Sequence, residues 1–140
     1  MSKPDDSMDR IREKKKCFLA REERIIDKSL KLLIRDGIDR VTVSAISREA
    51  GVGKGTVYKH FLTKTEILMR IVLNYEQNIT ENLRLGIEAT EAGDPGAAAR
   101  SYFQARLSDP ALDRLVQQLE VKLEGNEEVA ASMAELHALR

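Results

Sequence analysis

TVSAISREAGVGKGTVYKHF, residues 42–61, is the stretch whose reading decides the fold. It divides into two short helices set at a sharp angle by a glycine turn. Thr42 offers the hydroxyl acceptor that an N-cap needs, and Val43, Ile46, Ser47 and Ala50 then recur at the spacing of one helical face. Gly51 takes a positive φ at no steric cost and ends that helix. Val52 returns to the core, and Gly53 opens a second helix from about Lys54 to Phe61. Val57 and Phe61 share the inward face of this second helix. Thr56, Lys59, His60 and the Tyr58 hydroxyl project elsewhere, and side chains of those types can touch bases and phosphates. The pattern is a helix-turn-helix.

Upstream, residues 1–12 are polar, carry Pro4 and hold few apolar groups, the composition of an arm without fixed structure. Lys14, Lys15 and Lys16 follow, a run that suits phosphates or a minor groove and equally suits a solvated helix start. From Phe18 to Ile34 the residues Leu19, Ile26, Leu30 and Leu33 form one stripe, flanked by Phe18, Ile25 and Leu32. This predicts an amphipathic helix capped by Gly37, which closes a core with the helix-turn-helix.

Downstream, Thr63 to Glu66 has the spacing of a capping box and predicts a fourth helix through Ile67, Leu68, Ile71, Val72, Tyr75 and Ile79 to about Ala92. The break at residues 93–96, GDPG, places Asp94 as cap and Pro95 at the start of a helix through Tyr102, Phe103 and Leu107. Ser108, Asp109 and Pro110 repeat that signal before Leu112, Leu115, Val116, Leu119 and Leu123. Gly125 and Asn126 end this helix, and a last one is expected from Glu127 towards Arg140. No segment alternates like a strand, so the fold class is all-α.

The formal net charge of the 140 residues is zero, but residues 1–70 hold 17 Lys and Arg against 11 Asp and Glu, and residues 71–140 hold 6 against 12. A basic first half suits a polyanion such as DNA, and an acidic second half suits a part held away from it. Cys17 is the single cysteine, which excludes an internal disulfide, fits a reducing cytoplasm and reads as packing. His60 and His137 are far apart, and nothing has the spacing of metal ligands, so no metal or cofactor is expected. No stretch is long and apolar enough for a membrane span.

The run G-I-D-x-V-T-V-x-x-I-S-x-x-A-G-V-G-K-G-T-V-Y-K-H-F-x-x-K, residues 37–64, resembles the DNA-binding domain of TetR-type transcriptional regulators. The resemblance spans roughly residues 18–73, about two fifths of the chain, without a gap. Ser47 stands where that family usually has Ala, Gly53 where Ser is common, and Leu62 where Pro often precedes the next helix. It implies a DNA-binding regulator without catalytic activity, most often a repressor freed from a palindromic operator by a small-molecule effector, and working as a homodimer in the cytoplasm. The expected domains are a basic arm over 1–16, a DNA-binding domain over 17–73 and part of a C-terminal effector and dimerisation domain over 74–140. Expected base contacts are Thr56, Lys59 and Ser44. Expected phosphate contacts are Lys54, Tyr58, His60 and Lys64, with the backbone amides of Thr42 and Gly55.

Members of that family usually carry two further long helices that form the dimer interface, whereas this sequence ends in an amphipathic pattern at Leu139 and Arg140. A truncated or short form would therefore bind its operator poorly unless another surface brings two heads together. Two other readings belong to different classes. A helical adaptor would use the same helix-turn-helix against protein, and salt-sensitive binding to duplex DNA separates it. A nucleotide kinase fragment is suggested by residues 51–56, GVGKGT, but the first glycine of a phosphate loop would have to replace Arg48, and helical SAISREA stands where a strand should lead in.

Overall fold

A computed structural model describes residues 3–125, together with Ala131 and Ala134. Among the described residues there are six helices and no strand: α1 Lys3–Asp36, α2 Val43–Ala50, α3 Lys54–His60, α4 Lys64–Glu91, α5 Ala97–Leu107 and α6 Pro110–Glu124. The chain divides into two compact units, Met1–Lys64 and Thr65–Arg140, ahead of the boundary expected at residue 73. The helix expected from Glu127 lies outside the described residues, apart from Ala131 and Ala134, which are helical.

In the first unit, α1 packs on α2 and α2 on α3. Its buried apolar side chains are Ile25, Ile26, Leu32 and Leu33 of α1, Val41 of the link, Ile46 and Ala50 of α2, then Val57 and Phe61. Full burial of a side chain such as Ile25 or Val57 contributes roughly 1.5–3 kcal/mol. The α1 stripe is shorter than the apolar pattern predicts, because Phe18 and Leu19 are exposed and burial begins at Ile25. Ser29 is fully buried within it, and its hydroxyl donates to the Ile25 carbonyl at 2.7 Å, so the polar group is satisfied by its own helix.

Residues 3–16 are the first part of α1, where composition suggests an arm without fixed structure. Local forces account for this. Pro4 sits in the first turn, where no N–H is needed, and Asp6 follows near the positive end of the helix dipole. Arg10 pairs with Asp6 across one turn at 3.2 Å. Every residue from Asp6 to Arg21 is exposed, including Cys17, which is therefore not the packing group expected.

In the second unit, α6 begins as its sequence signal requires: the Asp109 side chain accepts from Leu112 N–H at 3.1 Å, and Pro110 occupies the first helical position. Leu115, Val116 and Leu119 are buried, and α5 packs on α6. The start of α5 differs from expectation. Gly96, at φ 87° and ψ −2°, caps Ala97–Leu107, and Asp94 is taken up by Arg100, whose Nη2 lies 2.6 Å from both carboxylate oxygens. Phe103 and Leu107 stay exposed and the small Ala97 and Ala105 are buried, because α5 meets α4 across Gly86 and leaves no room for larger groups.

Candidate nucleic-acid interface

The geometry of residues 42–61 follows from its caps. Thr42 has an extended backbone at φ −114° and ψ 159°, and its hydroxyl accepts from Ala45 N–H at 3.1 Å, so α2 starts where the sequence places it. Ile46, Ser47 and Ala50 turn inward, and the Ser47 hydroxyl donates to the Ser44 carbonyl at 2.8 Å. Gly51 is left-handed at φ 69°. Its N–H bonds the Arg48 carbonyl, and Val52 N–H bonds the Ser47 carbonyl at 3.0 Å, which stops the helix and turns the chain. The helical lead-in to Gly51 also removes the phosphate-loop reading, which requires a strand there.

Gly53 then caps α3 with no side-chain hydrogen bond. The first N–H groups of α3 therefore keep their donor capacity towards solvent, Gly55 among them. Val57 and Phe61 hold the helix to the core, while Lys54, Gly55, Tyr58 and Lys59 are exposed and Thr56 is half-buried. The side chains of Lys54, Tyr58 and Lys59 make no hydrogen bond or ion pair among the described residues. Two cations and a phenol thus share one open face. Ser44 is half-buried on α2.

Two of the expected contacts have other partners. The Lys64 ammonium, in the first turn of α4, donates to the Ile38 carbonyl, so one of its three N–H groups serves the fold. His60 is the larger departure: it is not an exposed phosphate ligand. Its side chain is 0% exposed, with Nδ1 3.2 Å from Glu22 Oε2 and the ring stacked on Phe18. The last turn of α3 faces α1 instead of solvent, and a ring enclosed there cannot reach a phosphate. Glu22 and Phe18 are the residues that sequence reasoning missed. Their spacing of one helical turn on α1 is the signal that they share a face.

A domain model described as bacterial regulatory proteins of the tetR family matches residues 25–71, the segment just built from its caps and core. Over this segment the chain is similar to that family. The HTH-type transcriptional regulator SrpR of Pseudomonas putida is 35% identical over 68 residues, which are 47% of this chain and 32% of SrpR. The regulator AcrR of Shigella flexneri is 32% identical over 81 residues, 58% of this chain and 37% of AcrR. The match thus spans about a third of the length of these curated relatives. The crystal structure of the multidrug binding protein EbrR in complex with imidazole shares the fold, with a TM-score of 0.62 at 21% identity over 83% of this chain and 64% of that one.

The second unit contains a cavity of about 380 Å³ whose walls include Tyr75, Glu76, Thr80, Tyr102, Arg106 and Glu120. Asp113 accepts from the Tyr75 hydroxyl, from Arg106 Nη1 at 3.2 Å and from Gln117 Nε2 at 2.9 Å, while Arg106 Nε bonds the Tyr102 hydroxyl at 3.2 Å. Burial, then the bond to Asp113, pushes the Tyr75 phenol above its usual range. Burial and the nearby charge of Glu76 push Glu120 up as well. No helix among the described residues is long and apolar enough to cross a membrane, and no group of His, Cys, Asp and Glu among them could hold a metal ion.

Proposed function

We propose that this chain is a sequence-specific DNA-binding transcriptional regulator without catalytic activity, a repressor that works in the cytoplasm as a pair of heads on a palindromic operator. The observation that carries this reading is the open face of α3, where Lys54, Tyr58 and Lys59 project without partners among the described residues, above a helix start that no side chain caps. Thr56, Lys59 and Ser44 contact base edges. Lys54, Tyr58 and Lys64 hold phosphates, with the backbone amides of Thr42 and Gly55. A recognition helix of seven residues reads few base pairs, so affinity comes from two copies on successive major grooves. The six-unit excess of positive charge in residues 1–70 supports the polyanion as partner. The cavity in the second unit takes a small-molecule effector whose binding lowers operator affinity. Sequencing the genomic duplex fragments retained by the purified protein tests this directly: a shared palindrome among them supports it, and retention of unrelated sequences, or of none, counts against it.

A further inference from the structure

A helix of seven residues that contains a glycine and has no side-chain cap cannot hold its own orientation, so α3 depends on anchors. Val57 and Phe61 anchor one face. His60, the last helical residue, is a third anchor on a neighbouring face, and its hydrogen-bond partner and the ring it stacks on are both on α1. Phe18 and Glu22 are one turn apart there: the imidazole stacks on the Phe18 ring with centroids 4.0 Å apart and 26° between planes, and Nδ1 lies 3.2 Å from Glu22 Oε2. Nε2 is buried with no hydrogen-bond partner among the described residues. A carboxylate only accepts, so the bond to Glu22 is one in which Nδ1–H donates.

We propose that Phe18, Glu22 and His60 are positioning residues that fix the orientation of α3, so that DNA affinity depends on a carboxylate that itself repels DNA. This rests on the reading of α3 as the DNA-binding helix. The two effects of Glu22 have opposite signs. Plain electrostatics makes its removal favourable to a polyanion, whereas loss of the His60 anchor makes its removal unfavourable. The sign of the change therefore distinguishes the roles.

The test uses the full chain and the substitutions Glu22→Leu, Glu22→Gln and His60→Phe. Glu22→Gln keeps an acceptor for Nδ1–H, and His60→Phe keeps the ring but not the bond. In the free protein, Glu22→Leu and His60→Phe should speed amide exchange at Phe61, whose N–H bonds the Val57 carbonyl at 2.9 Å, while Glu22→Gln leaves it near the parent rate. On duplex DNA, Glu22→Leu should bind about tenfold more weakly on specific and random sequences alike, the loss expected for one charge-assisted bond, and Glu22→Gln should not. Unchanged Phe61 exchange in Glu22→Leu overturns the anchor, as does tighter DNA binding by that variant. If the parent chain binds no DNA, the regulator reading fails, and the exchange rates still decide whether Glu22 holds α3.

Discussion

Gly86 of α4 lies so close to α5 that a Cβ built on it would stand 2.8 Å from the Cα of Ala98. The Ala97 carbonyl oxygen and the Ser101 Cβ would both be 2.9 Å away. Thr90, one turn further along α4, completes the contact: its hydroxyl donates to the Gly86 carbonyl at 3.0 Å and accepts from Ala98 N–H at 3.2 Å. The start of α5, which Gly96 leaves without a side-chain cap, is thus closed by a residue of α4.

Gly86→Ala should accordingly destabilise the protein, although alanine is the better helix former by about 1 kcal/mol. The atoms it meets are mostly backbone and cannot move aside, and overpacking of this kind costs about 1–3 kcal/mol. Thermal unfolding measures it, and a raised midpoint would show that the two helices part without cost.

Gly51→Val should destabilise the helix-turn-helix by at least ~1 kcal/mol, because a β-branched side chain is forced into a left-handed backbone. Space is not the obstacle, since the nearest atom to an added Cβ is Arg24 Nη2 at 3.5 Å. Gly51→Asn should cost less, as asparagine tolerates that region. Equal losses in chemical denaturation would argue against backbone strain.

Glu120 gives a pH prediction. Its carboxyl is raised by burial first and by Glu76 second, so the folded state favours the protonated form. For an acid raised on folding, the penalty is absent below the unfolded-state value and grows as pH rises through the folded one. Glu120→Gln should therefore raise the melting temperature at neutral pH, and the gain should shrink as pH falls towards the ordinary carboxylate range. A gain that is constant with pH would point to packing.

How much of this was legible in the sequence depends on the range of the forces involved. Thr42, Gly51 and Asp109 act through hydrogen bonds and dihedrals within a few residues, so the starts of α2 and α6 and the turn between α2 and α3 could be read directly. The exposure of Lys54, Tyr58 and Lys59 was readable because the core residues Val57 and Phe61 fix which face is left over. His60 was not, since its environment is set by residues 38 positions away on α1. The α4–α5 contact was equally hidden: small residues at Gly86, Ala97 and Ala105 carry no apolar periodicity, and the large Phe103 and Leu107, which do, are exposed.

Thr56→Ala separates base reading from phosphate holding on α3. It should relax discrimination at one or two base positions by about 1–3 kcal/mol, with little change on random duplex. Competition between a selected site and single-base variants of it measures this. An equal loss on every sequence would make Thr56 a structural residue.

The central claim, that the open face of α3 holds duplex DNA through its cations, is tested most directly by the salt dependence of binding. The measurement is the affinity of the full chain for duplex DNA across a range of salt concentrations, repeated with Lys54→Ala. The account predicts that log K falls linearly with log salt and that the substitution reduces the slope by about 0.9, one phosphate contact on B-DNA. Binding that ignores salt, or a slope that Lys54→Ala leaves unchanged, would contradict it.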